Sequence, residues 1–424
     1  MATGFNPTTG AAFLQHFYSP GFVQNSVTAK ASKIRAMCKK MPNGGGDFYT
    51  YLTSVDDVAT GSADFATAQA MAANSTSTIG SQFLLGWMES DEPVRVAGKI
   101  MAQTRNNNAA WTQALKYAMD SGLRIAAHRL SVAFYTRGFG ELAQLASVSG
   151  ATFKCLEPSH IFRFFKGQQL VYSSSLDAAV LRSATAQTIT AIDYANNLIT
   201  MSGNLSVPGG ANNDWAFTAG DRQNSATPAM LRPVGLDTYF PDPTAAAADT
   251  NLSVVGGVNR ANNTRLYGQF TDATNMSIED GLIDLLSQCI AVGNAEDSSG
   301  LVAVIGFQQH AALTKQLGTN RRYVEVPGSK GYVGFKTLAL QVNGLDIPIL
   351  SDRYCETPTG FVIAPKEFEI ASLGQAPRLD NDGGVSPMLK ISDDNGVEVR
   401  IVSYTQHGSK NPAICGRIKM PSLT

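Results

Sequence analysis

The sequence predicts an α+β protein with more than one hydrophobic core, and three observations support this fold class. Residues 109–136 repeat apolar side chains at steps of three and four, the period of an amphipathic helix. Residues 166–222 contain short β-type runs separated by turn residues. Residues 278–419 alternate helix-type and strand-type segments. A chain of 424 residues is long enough to form two or three such cores.

The long helix is the strongest single element. Its apolar positions are Trp111, Leu115, Met119, Gly122, Ala126, Leu130 and Ala133. Asn108 is a suitable N-cap, and Gly138 is suited to closing the C-terminal end. At 1.5 Å per residue the helix would be about 42 Å long.

Two segments before this helix are predicted to bury their apolar side chains against a surface outside themselves. Residues 1–35 scatter aromatic side chains among proline and glycine, which predicts an extended arm. Asp47–Leu52 and Ser81–Met88 alternate like the strands of a long hairpin, with small residues between them. Pro93–Ile100 supplies a further strand pattern. Because an isolated hairpin is marginal in water, we expect this one to lie over another chain.

Residues 166–222 are predicted to form a small β-barrel inserted into the main fold. Gln187–Asp193 and Leu198–Ser202 are separated by Ala195-Asn-Asn and therefore predict a hairpin. The rest of the chain predicts a second alternating region, with a helix at Ile278–Val292, a strand at Leu301–Ile305, a helix at Phe307–Leu317 and a strand at Gly360–Ala364. A closing hairpin is predicted from Val399–Tyr404 and Ala413–Lys419.

The composition favours a protein whose exterior is covered by copies of itself. Charged residues make up only 16% of the chain, below the usual quarter, and small neutral residues take their place. A formal net charge of −1 argues against broad, sequence-independent binding of nucleic acid, which needs many cations. A basic run is formed by Lys30, Lys33, Arg35, Lys39 and Lys40, for which a solvated helix face is favoured over a nucleic-acid contact.

The cysteines and the N-terminus indicate the compartment. The five cysteines, Cys38, Cys155, Cys289, Cys355 and Cys415, are widely spaced and include no CxxC pair. This pattern predicts reduced, mostly buried thiols. The start of the chain lacks a signal peptide, and no apolar stretch approaches the roughly 20 residues that span a bilayer. We therefore expect a soluble protein made in the cytoplasm.

Motifs that could bind cofactors are incomplete. Gly138–Ala143 fits GxGxxA, but a helix precedes it where a dinucleotide fold needs a strand. Asn43–Asp47 and Gly328–Gly331 lack the full phosphate-binding pattern and are interpreted as turns. The histidines, His16, His128, His160, His310 and His407, show no metal-ligand spacing.

Candidate catalytic groups are equally weak. Cys155 and His160 are close in sequence, but spacing does not define a nucleophilic pair. The acidic pairs Glu279–Asp280 and Asp393–Asp394 are predicted at turns or helix starts, where a carboxylate complements the helix dipole. The sequence therefore predicts no catalytic, cofactor-binding or metal-binding residues, no cofactor and no enzymatic activity.

The order of arm, long hairpin, long helix and later alternating elements resembles the major capsid proteins of tailed bacteriophages, the Hong Kong 97 fold. Val234–Tyr239 and Val255–Arg265 resemble segments that precede the first axial-domain helices, and the second string suits a loop with hydrogen bonds across a subunit boundary. The resemblance implies an N-terminal arm at 1–35, an E-loop at 36–104, a spine helix with the first part of the peripheral domain at 105–165, the inserted β-domain at 166–222, an axial domain at 223–365 and a return to the peripheral domain at 366–424.

The resemblance also implies a function. The chain would form pentamers and hexamers of an icosahedral head shell that encloses double-stranded DNA without sequence-specific binding, with no membrane involved. Its partners would be copies of itself, a scaffolding protein, a portal and a decoration protein. It would be assembled in the host bacterial cytoplasm and located in the virion. Some relatives form a covalent cross-link, for which Lys99 and Asn381 or Asn395 have the required residue types.

Two alternatives remain open. Another structural protein of the virion, a tail-tube or decoration protein, is the first, although a tube protein is expected to be a compact β-sandwich without a long helix. The second is a cytosolic α/β enzyme, which would need a convergent polar cluster.

Overall fold

A computed structural model describes residues 32–41, 44–56, 61–74, 79–98, 108–177, 179–182, 185–205, 210–244, 249–260, 264–293, 300–316, 338–380, 388–390 and 396–422. The chain divides into two compact units. The first unit contains residues 1–36, 88–235 and 372–405, and the second contains residues 37–87, 236–371 and 406–424. Most of the predicted arm, residues 1–31, lies outside the described residues.

The helices are α1 (Lys33–Met37), α2 (Phe65–Asn74), α3 (Asn108–Tyr135), α4 (Leu236–Tyr239), α5 (Thr250–Ser253), α6 (Ile278–Gly293) and α7 (Phe307–Gln316). The strands before α4 are β1 (Lys39–Met41), β2 (Phe48–Asp56), β3 (Ile79–Gly86), β4 (Met88–Val96), β5 (Glu141–Ser149), β6 (Thr152–Cys155), β7 (Gln169–Ser173), β8 (Gln187–Asp193), β9 (Leu198–Met201) and β10 (Trp215–Thr218). The later strands are β11 (Val254–Val255), β12 (Val258–Asn259), β13 (Gln269–Asp272), β14 (Val302–Ile305), β15 (Leu338–Val342), β16 (Leu345–Ser351), β17 (Thr359–Ile363), β18 (Phe368–Ser372), β19 (Arg378–Leu379), β20 (Met388–Lys390), β21 (Val397–Ser409) and β22 (Gly416–Lys419).

The first unit is built around the long helix α3, which confirms the helix predicted from periodicity. Gly122, Ala126, Leu130 and Ala133 are buried, as the pattern predicted. The helix packs on β4 at Gly122, where a Cβ atom would lie 2.5 Å from Cγ2 of Val94. A side chain at this position would require Val94 and Ile401 to repack, so glycine permits the close approach of the helix to the strand.

The same unit contains a closed β-barrel with the strand order β10-β5-β6-β9-β8-β7. All neighbouring strands are antiparallel, and β10 closes the barrel by pairing with both β5 and β7. The predicted β8–β9 hairpin is present, with Asn197 at a φ of 51° in its turn. The barrel begins at Glu141, whereas the sequence placed the β-domain at 166–222. The difference arises because β5 and β6 lie before the stretch of short β-type runs on which that prediction was based.

The barrel has its own core. Its buried side chains come from every strand and include Leu145, Phe153, Leu170, Ile189, Ile199 and Ala216. Phe153 is fully buried, and its ring lies 6.0 Å from that of Phe164 in an edge-to-face arrangement. Closure leaves no unpaired sheet edge in the barrel, so its apolar interior is covered by its own chain.

The second unit contains a mixed sheet with the strand order β13-β22-β17-β14-β16-β15. Strands β13 and β22 are parallel, as are β14 and β16, and the other neighbours are antiparallel. Helix α6 packs on this sheet through Leu282, Leu285 and Cys289, which are fully buried. Its N-terminus is capped by Ser277, whose hydroxyl accepts a hydrogen bond from the Asp280 backbone N–H at 3.0 Å. The helices α6 and α7 confirm the predictions for this region.

The predicted closing hairpin is wrong. Strand β22 pairs with β13 and β17, not with β21. Residues 397–405 of β21 lie in the first unit, where they pair with β4, β19 and β20. Two strands joined by a short loop look like a hairpin in a sequence, but β22 pairs with strands at residues 269–272 and 359–363, and β21 pairs with β4 and with the preceding strands β19 and β20.

Candidate assembly surface

The long hairpin of β2 and β3 presents two apolar faces. The strands are antiparallel, with Thr50 opposite Leu84 and Tyr51 opposite Phe83. Because side chains alternate between the two faces of a strand, one face carries Tyr49, Tyr51, Phe83 and Leu85, all of which are buried. The rings of Tyr51 and Phe83 are stacked with centroids 4.7 Å apart. The predicted hairpin is therefore confirmed, and its tyrosine face packs within its own unit.

The opposite face is exposed. It carries Phe48, Leu52 and Leu84, which are 55%, 73% and 46% exposed. We call these three residues the outer hairpin face. A cluster of large apolar side chains on one face of a two-stranded sheet favours contact with another surface. The expectation that the hairpin needs another surface is therefore wrong for its tyrosine face, and for the outer hairpin face it stays a prediction.

Helix α2 lies between the two strands of the hairpin, where the sequence suggested only small residues without core-forming power. Phe65 at its start is 81% exposed, and Met71 is also exposed. A helix of ten residues is marginal in water without packing partners. Helix α2 therefore carries two further large apolar side chains that are exposed in the single chain.

A buried carboxylate connects the base of the hairpin to the rest of its unit through hydrogen bonds and ion pairs. Glu369 on β18 has a side chain that is only 2% exposed. Its Oε1 atom accepts a hydrogen bond from Nζ of Lys39 at 2.8 Å. The same oxygen lies 2.9 Å from Nζ of Lys410, with which it forms an ion pair. Its Oε2 atom accepts a hydrogen bond from the Tyr49 hydroxyl at 2.9 Å. We call these four residues the Glu369 cluster.

The cluster changes the ionisation of its members. Burial alone would raise the pKa of Glu369, but the hydrogen bonds from Lys39, Lys410 and Tyr49 outweigh it and lower that pKa below its usual value. The hydrogen bond to Glu369 raises the pKa of Lys39. Burial and the neighbouring carboxylate raise the pKa of Tyr49. Glu369 and Lys39 are thus charged at neutral pH, and the Tyr49 hydroxyl is a neutral donor.

A second chain of hydrogen bonds supports the same face of the hairpin. The Tyr51 hydroxyl donates to that of Tyr239 at 3.2 Å, and Tyr239 donates to the His407 carbonyl at 2.8 Å. A Cβ atom at Gly408 would lie 2.7 Å from Cε1 of Tyr49. Glycine at this position therefore allows the tyrosine face to approach the backbone of β21.

Arg260 corrects one expectation from the sequence. The string Val255–Arg265 was expected to form hydrogen bonds across a subunit boundary, but Arg260 is fully buried in its own unit. Its guanidinium donates to the carbonyls of Thr238, Tyr239, Leu252 and Leu266. Burial lowers its pKa to about 10, so it stays charged at neutral pH. Helix ends concentrate unpaired carbonyls, and α4 and α5 supply three of these four acceptors.

The basic run of the sequence is divided in the structure. Arg35 in α1 is buried, and Lys33 is exposed on the same helix. Lys39 and Lys40 lie in β1, where Lys39 joins the Glu369 cluster. The prediction of a single solvated helix face is therefore wrong for Arg35, which is buried, and for Lys39, which lies in a strand. Lys30 lies outside the described residues.

The candidate chemical groups occupy separate structural positions. Cys155 ends β6 in the barrel core, and burial raises its pKa to about 12, so the thiol is protonated at neutral pH. Gly138 and Gly140 follow α3 with positive φ angles of 97° and 80°. Among the described residues there is no group of three or more His, Cys, Asp or Glu side chains arranged to bind a metal. Glu279 and Asp280 lie in the first turn of α6, as predicted.

Several candidates lie outside the described residues. They are His16, Lys99, Gly328–Gly331, Asn381, Asp393–Asp394 and Asn395. His128 and His160 are buried in the first unit, and His407 is buried in the second. Among the described helices, none combines the length and the apolar character that crossing a membrane requires.

Comparison with solved structures identifies the fold. The chain is similar to the capsid asymmetric unit of cyanophage A-1(L), with 11% identity, a TM-score of 0.57 and coverage of 96% of this chain and 97% of that chain. The chain has a phage capsid fold. Similarity to the capsid of a native GTA particle has 10% identity, a TM-score of 0.48 and coverage of 96% and 95%. Similarity to a chain of Mycobacterium phage Adephagia has 9% identity, a TM-score of 0.44 and coverage of 99% and 98%.

The capsid fold assignment rests on the cyanophage comparison, because its TM-score exceeds 0.5 over nearly the whole of both chains. No protein-family model and no curated protein matches the sequence. The capsid fold predicted from the order of elements is confirmed at the level of overall fold, and the mixed α+β class is confirmed with it. The Glu369 cluster and buried Arg260 were not predicted, because their partners are distant in sequence or are backbone carbonyls.

Proposed function

We propose that this chain is a major capsid protein that assembles into pentamers and hexamers of an icosahedral phage head enclosing double-stranded DNA. The observation that carries the proposal is the capsid fold shared with the cyanophage protein over nearly the whole chain. The protein would be assembled in the host bacterial cytoplasm and would be located in the virion. Its role would be structural and not enzymatic.

We assign the parts of the fold by the same resemblance. Residues 1–35 would be the N-terminal arm, 36–104 the E-loop and 105–165 the spine helix with the first part of the peripheral domain. Residues 166–222 would be the inserted β-domain, 223–365 the axial domain and 366–424 the return to the peripheral domain. The barrel observed from Glu141 onward favours an earlier start for the inserted domain. A scaffolding protein, a portal and a decoration protein are further expected partners.

The outer hairpin face supplies the physical basis for assembly. Phe48, Leu52 and Leu84 are exposed in the single chain, and burying a Phe or Leu side chain contributes about 1.5–3 kcal/mol. In the proposed shell a second copy of the chain covers this face. Each contact is modest, but a closed lattice makes every subunit bind several neighbours at once, which multiplies weak affinities.

The test is assembly of the full chain, followed by sedimentation velocity and negative-stain electron microscopy. We expect closed shells, capsomer rings or irregular polymers. Uniform tubes would favour a tail-tube protein, and a compact monomer at all concentrations would contradict both. Near-neutral net charge predicts that assembly does not require DNA.

Substitutions test the surface itself. The double variant Leu52→Asp and Leu84→Asp should reduce assembly at least about tenfold, because burying an unpaired carboxylate opposes the contact. Val180→Asp is the matched control, since Val180 is a 54% exposed apolar residue in the first unit. Circular dichroism and melting temperature should be unchanged in both variants. Equal assembly by the two variants would exclude the outer hairpin face as an assembly contact.

A further inference from the structure

The Glu369 cluster joins four segments of the second unit. Glu369 lies on β18, Lys39 on β1, Tyr49 on β2 and Lys410 directly after β21. Three donors converge on its two carboxylate oxygens at 2.8–2.9 Å. Because Tyr49 is the hairpin's contribution, the carboxylate connects the hairpin to the strands at its base.

The strength of the three contacts to Glu369 depends on whether its carboxyl group is ionised. An ionised carboxylate accepts all three bonds, whereas a protonated carboxyl loses both ion pairs and turns one oxygen into a donor. The Tyr49 hydroxyl donates a hydrogen bond to the ionised carboxylate, and protonation of Glu369 would make its oxygen a weaker acceptor. Two further hairpin contacts, from Leu84 N to the Gly256 carbonyl at 2.9 Å and from Gln406 Nε2 to the Gly86 carbonyl at 2.9 Å, contain no titratable group. The hydrogen bond between Tyr51 and Tyr239 joins two hydroxyls that stay protonated in the acid range.

We propose that the Glu369 cluster is an acid-sensitive fastening of the long hairpin. With Glu369 ionised the hairpin is held to its unit, and protonation of Glu369 lets the hairpin open more often while the rest of the chain stays folded. The proposal concerns the single chain and does not depend on its assembly into a shell.

Other titratable groups near the cluster define the pH range. Lys39, Lys410 and Tyr49 bond to Glu369, Glu367 acts electrostatically on Lys39, and Tyr239 acts on Tyr49. Lysines and tyrosines keep their protons throughout the acid range. The pKa of Glu369 is lower in the folded chain than in the unfolded chain, so its stabilisation is complete above the ordinary glutamate range. That stabilisation is lost as the pH falls through the lowered value.

His407 is the competing explanation for any acid effect. It is fully buried on β21, and its ring centroid lies 6.3 Å from that of Phe368, the residue before Glu369. A buried imidazole that gains a proton also destabilises its surroundings. Glu369→Gln separates the two, because glutamine does not titrate and leaves His407 in place.

The experiment is amide hydrogen exchange of the full chain, kept as unassembled subunits and corrected for the intrinsic effect of pH. In the unmodified chain, exchange of hairpin amides in 48–56 and 79–86 should become about tenfold faster between neutral pH and pH about 3.5. Barrel amides in 141–218 should stay protected over the same range. Equal acceleration of the barrel amides, or no acceleration of the hairpin, would overturn the proposal.

Three variants complete the design. Glu369→Gln should show fast hairpin exchange at both pH values, and Glu367→Gln, the matched control, should behave like the unmodified chain. Slow hairpin exchange in Glu369→Gln at neutral pH would overturn the proposal. Faster hairpin exchange of Glu369→Gln at acid pH than at neutral pH would also overturn it, because His407 would then explain the acid response. Tyr49→Phe removes one bond and should accelerate hairpin exchange about threefold at neutral pH. If barrel amides also exchange rapidly in Glu369→Gln, that variant is destabilised as a whole, and Tyr49→Phe becomes the deciding variant. Unchanged hairpin exchange in Tyr49→Phe would then refute the proposal.

Discussion

The barrel and the long hairpin are both antiparallel β-structures, but they solve the problem of apolar surface in opposite ways. The barrel closes β10 on β5 and encloses Phe153 and its neighbours completely. The hairpin has only two strands, buries one face within its unit and leaves Phe48, Leu52 and Leu84 exposed. The difference indicates that the barrel is stabilised by its own chain, whereas the hairpin is suited to being completed by a second one.

Separating the two regions tests this comparison with the largest expected effect. A fragment of residues 137–235 contains all six barrel strands and should fold cooperatively on its own. A fragment of residues 44–87 contains only the hairpin and should remain unfolded. Circular dichroism with thermal melting distinguishes a sigmoidal transition from a featureless one. A barrel fragment that melts without cooperativity would refute the idea of a self-sufficient core.

Truncation of the barrel core sharpens the contrast. Phe153→Ala should lower the free energy of unfolding by about 3–5 kcal/mol, because a fully buried ring leaves a cavity. Phe162→Ala is the control, since Phe162 is 39% exposed and stacks on Tyr194 at 5.6 Å. Urea denaturation measures both. Similar losses for the two variants would mean that the buried cluster does not carry the barrel's stability.

The inner face of the hairpin should be sensitive at its closest backbone contact. Gly408→Ala should cost about 1–3 kcal/mol, because the added methyl would overlap the Tyr49 ring. Gly86→Ala places a methyl in open space on β3 and should cost much less. Chemical denaturation is the measurement, and equal losses would show that the tyrosine face moves away without penalty.

The outer hairpin face should give the smallest effect on the single chain. Leu52→Ser should change the free energy of unfolding by less than about 0.5 kcal/mol, because the side chain is already 73% exposed. Leu85→Ser, on the buried face of β3, should cost several times more. A large loss for Leu52→Ser would indicate that this face is already covered within the subunit.

Periodicity and order predicted the long helix, the hairpin and the capsid fold, because these depend on local patterns. Helix α3 shows this well, since Gly122, Ala126, Leu130 and Ala133, which recur at steps of three and four, are all buried. Pairing over long distances was not predictable. Tyr49 and Glu369 are 320 residues apart, and nothing near either residue indicates the other. The false closing hairpin has the same cause, because the neighbours of β22 come from residues 269–272 and 359–363.

Polar residues were the other source of error. Arg260 occupies a string of Asn, Gly and Thr that is typical of an exposed loop, yet it is fully buried among carbonyls. Composition cannot distinguish an arginine that faces water from one that satisfies helix ends. Helix α2 could have been anticipated, because alanine has the highest helix propensity and the segment contains five alanines between Phe65 and Asn74.

The pairing of Glu141 with Phe217 places the first and last strands of the barrel side by side. The polypeptide therefore leaves this module next to the point where it entered. A single genetic exchange could remove the module, or replace it with another of equal span, without redirecting the flanking chain. A gene that encodes this fold could acquire or lose such a segment in one event, and a foreign domain with adjacent termini could take its place.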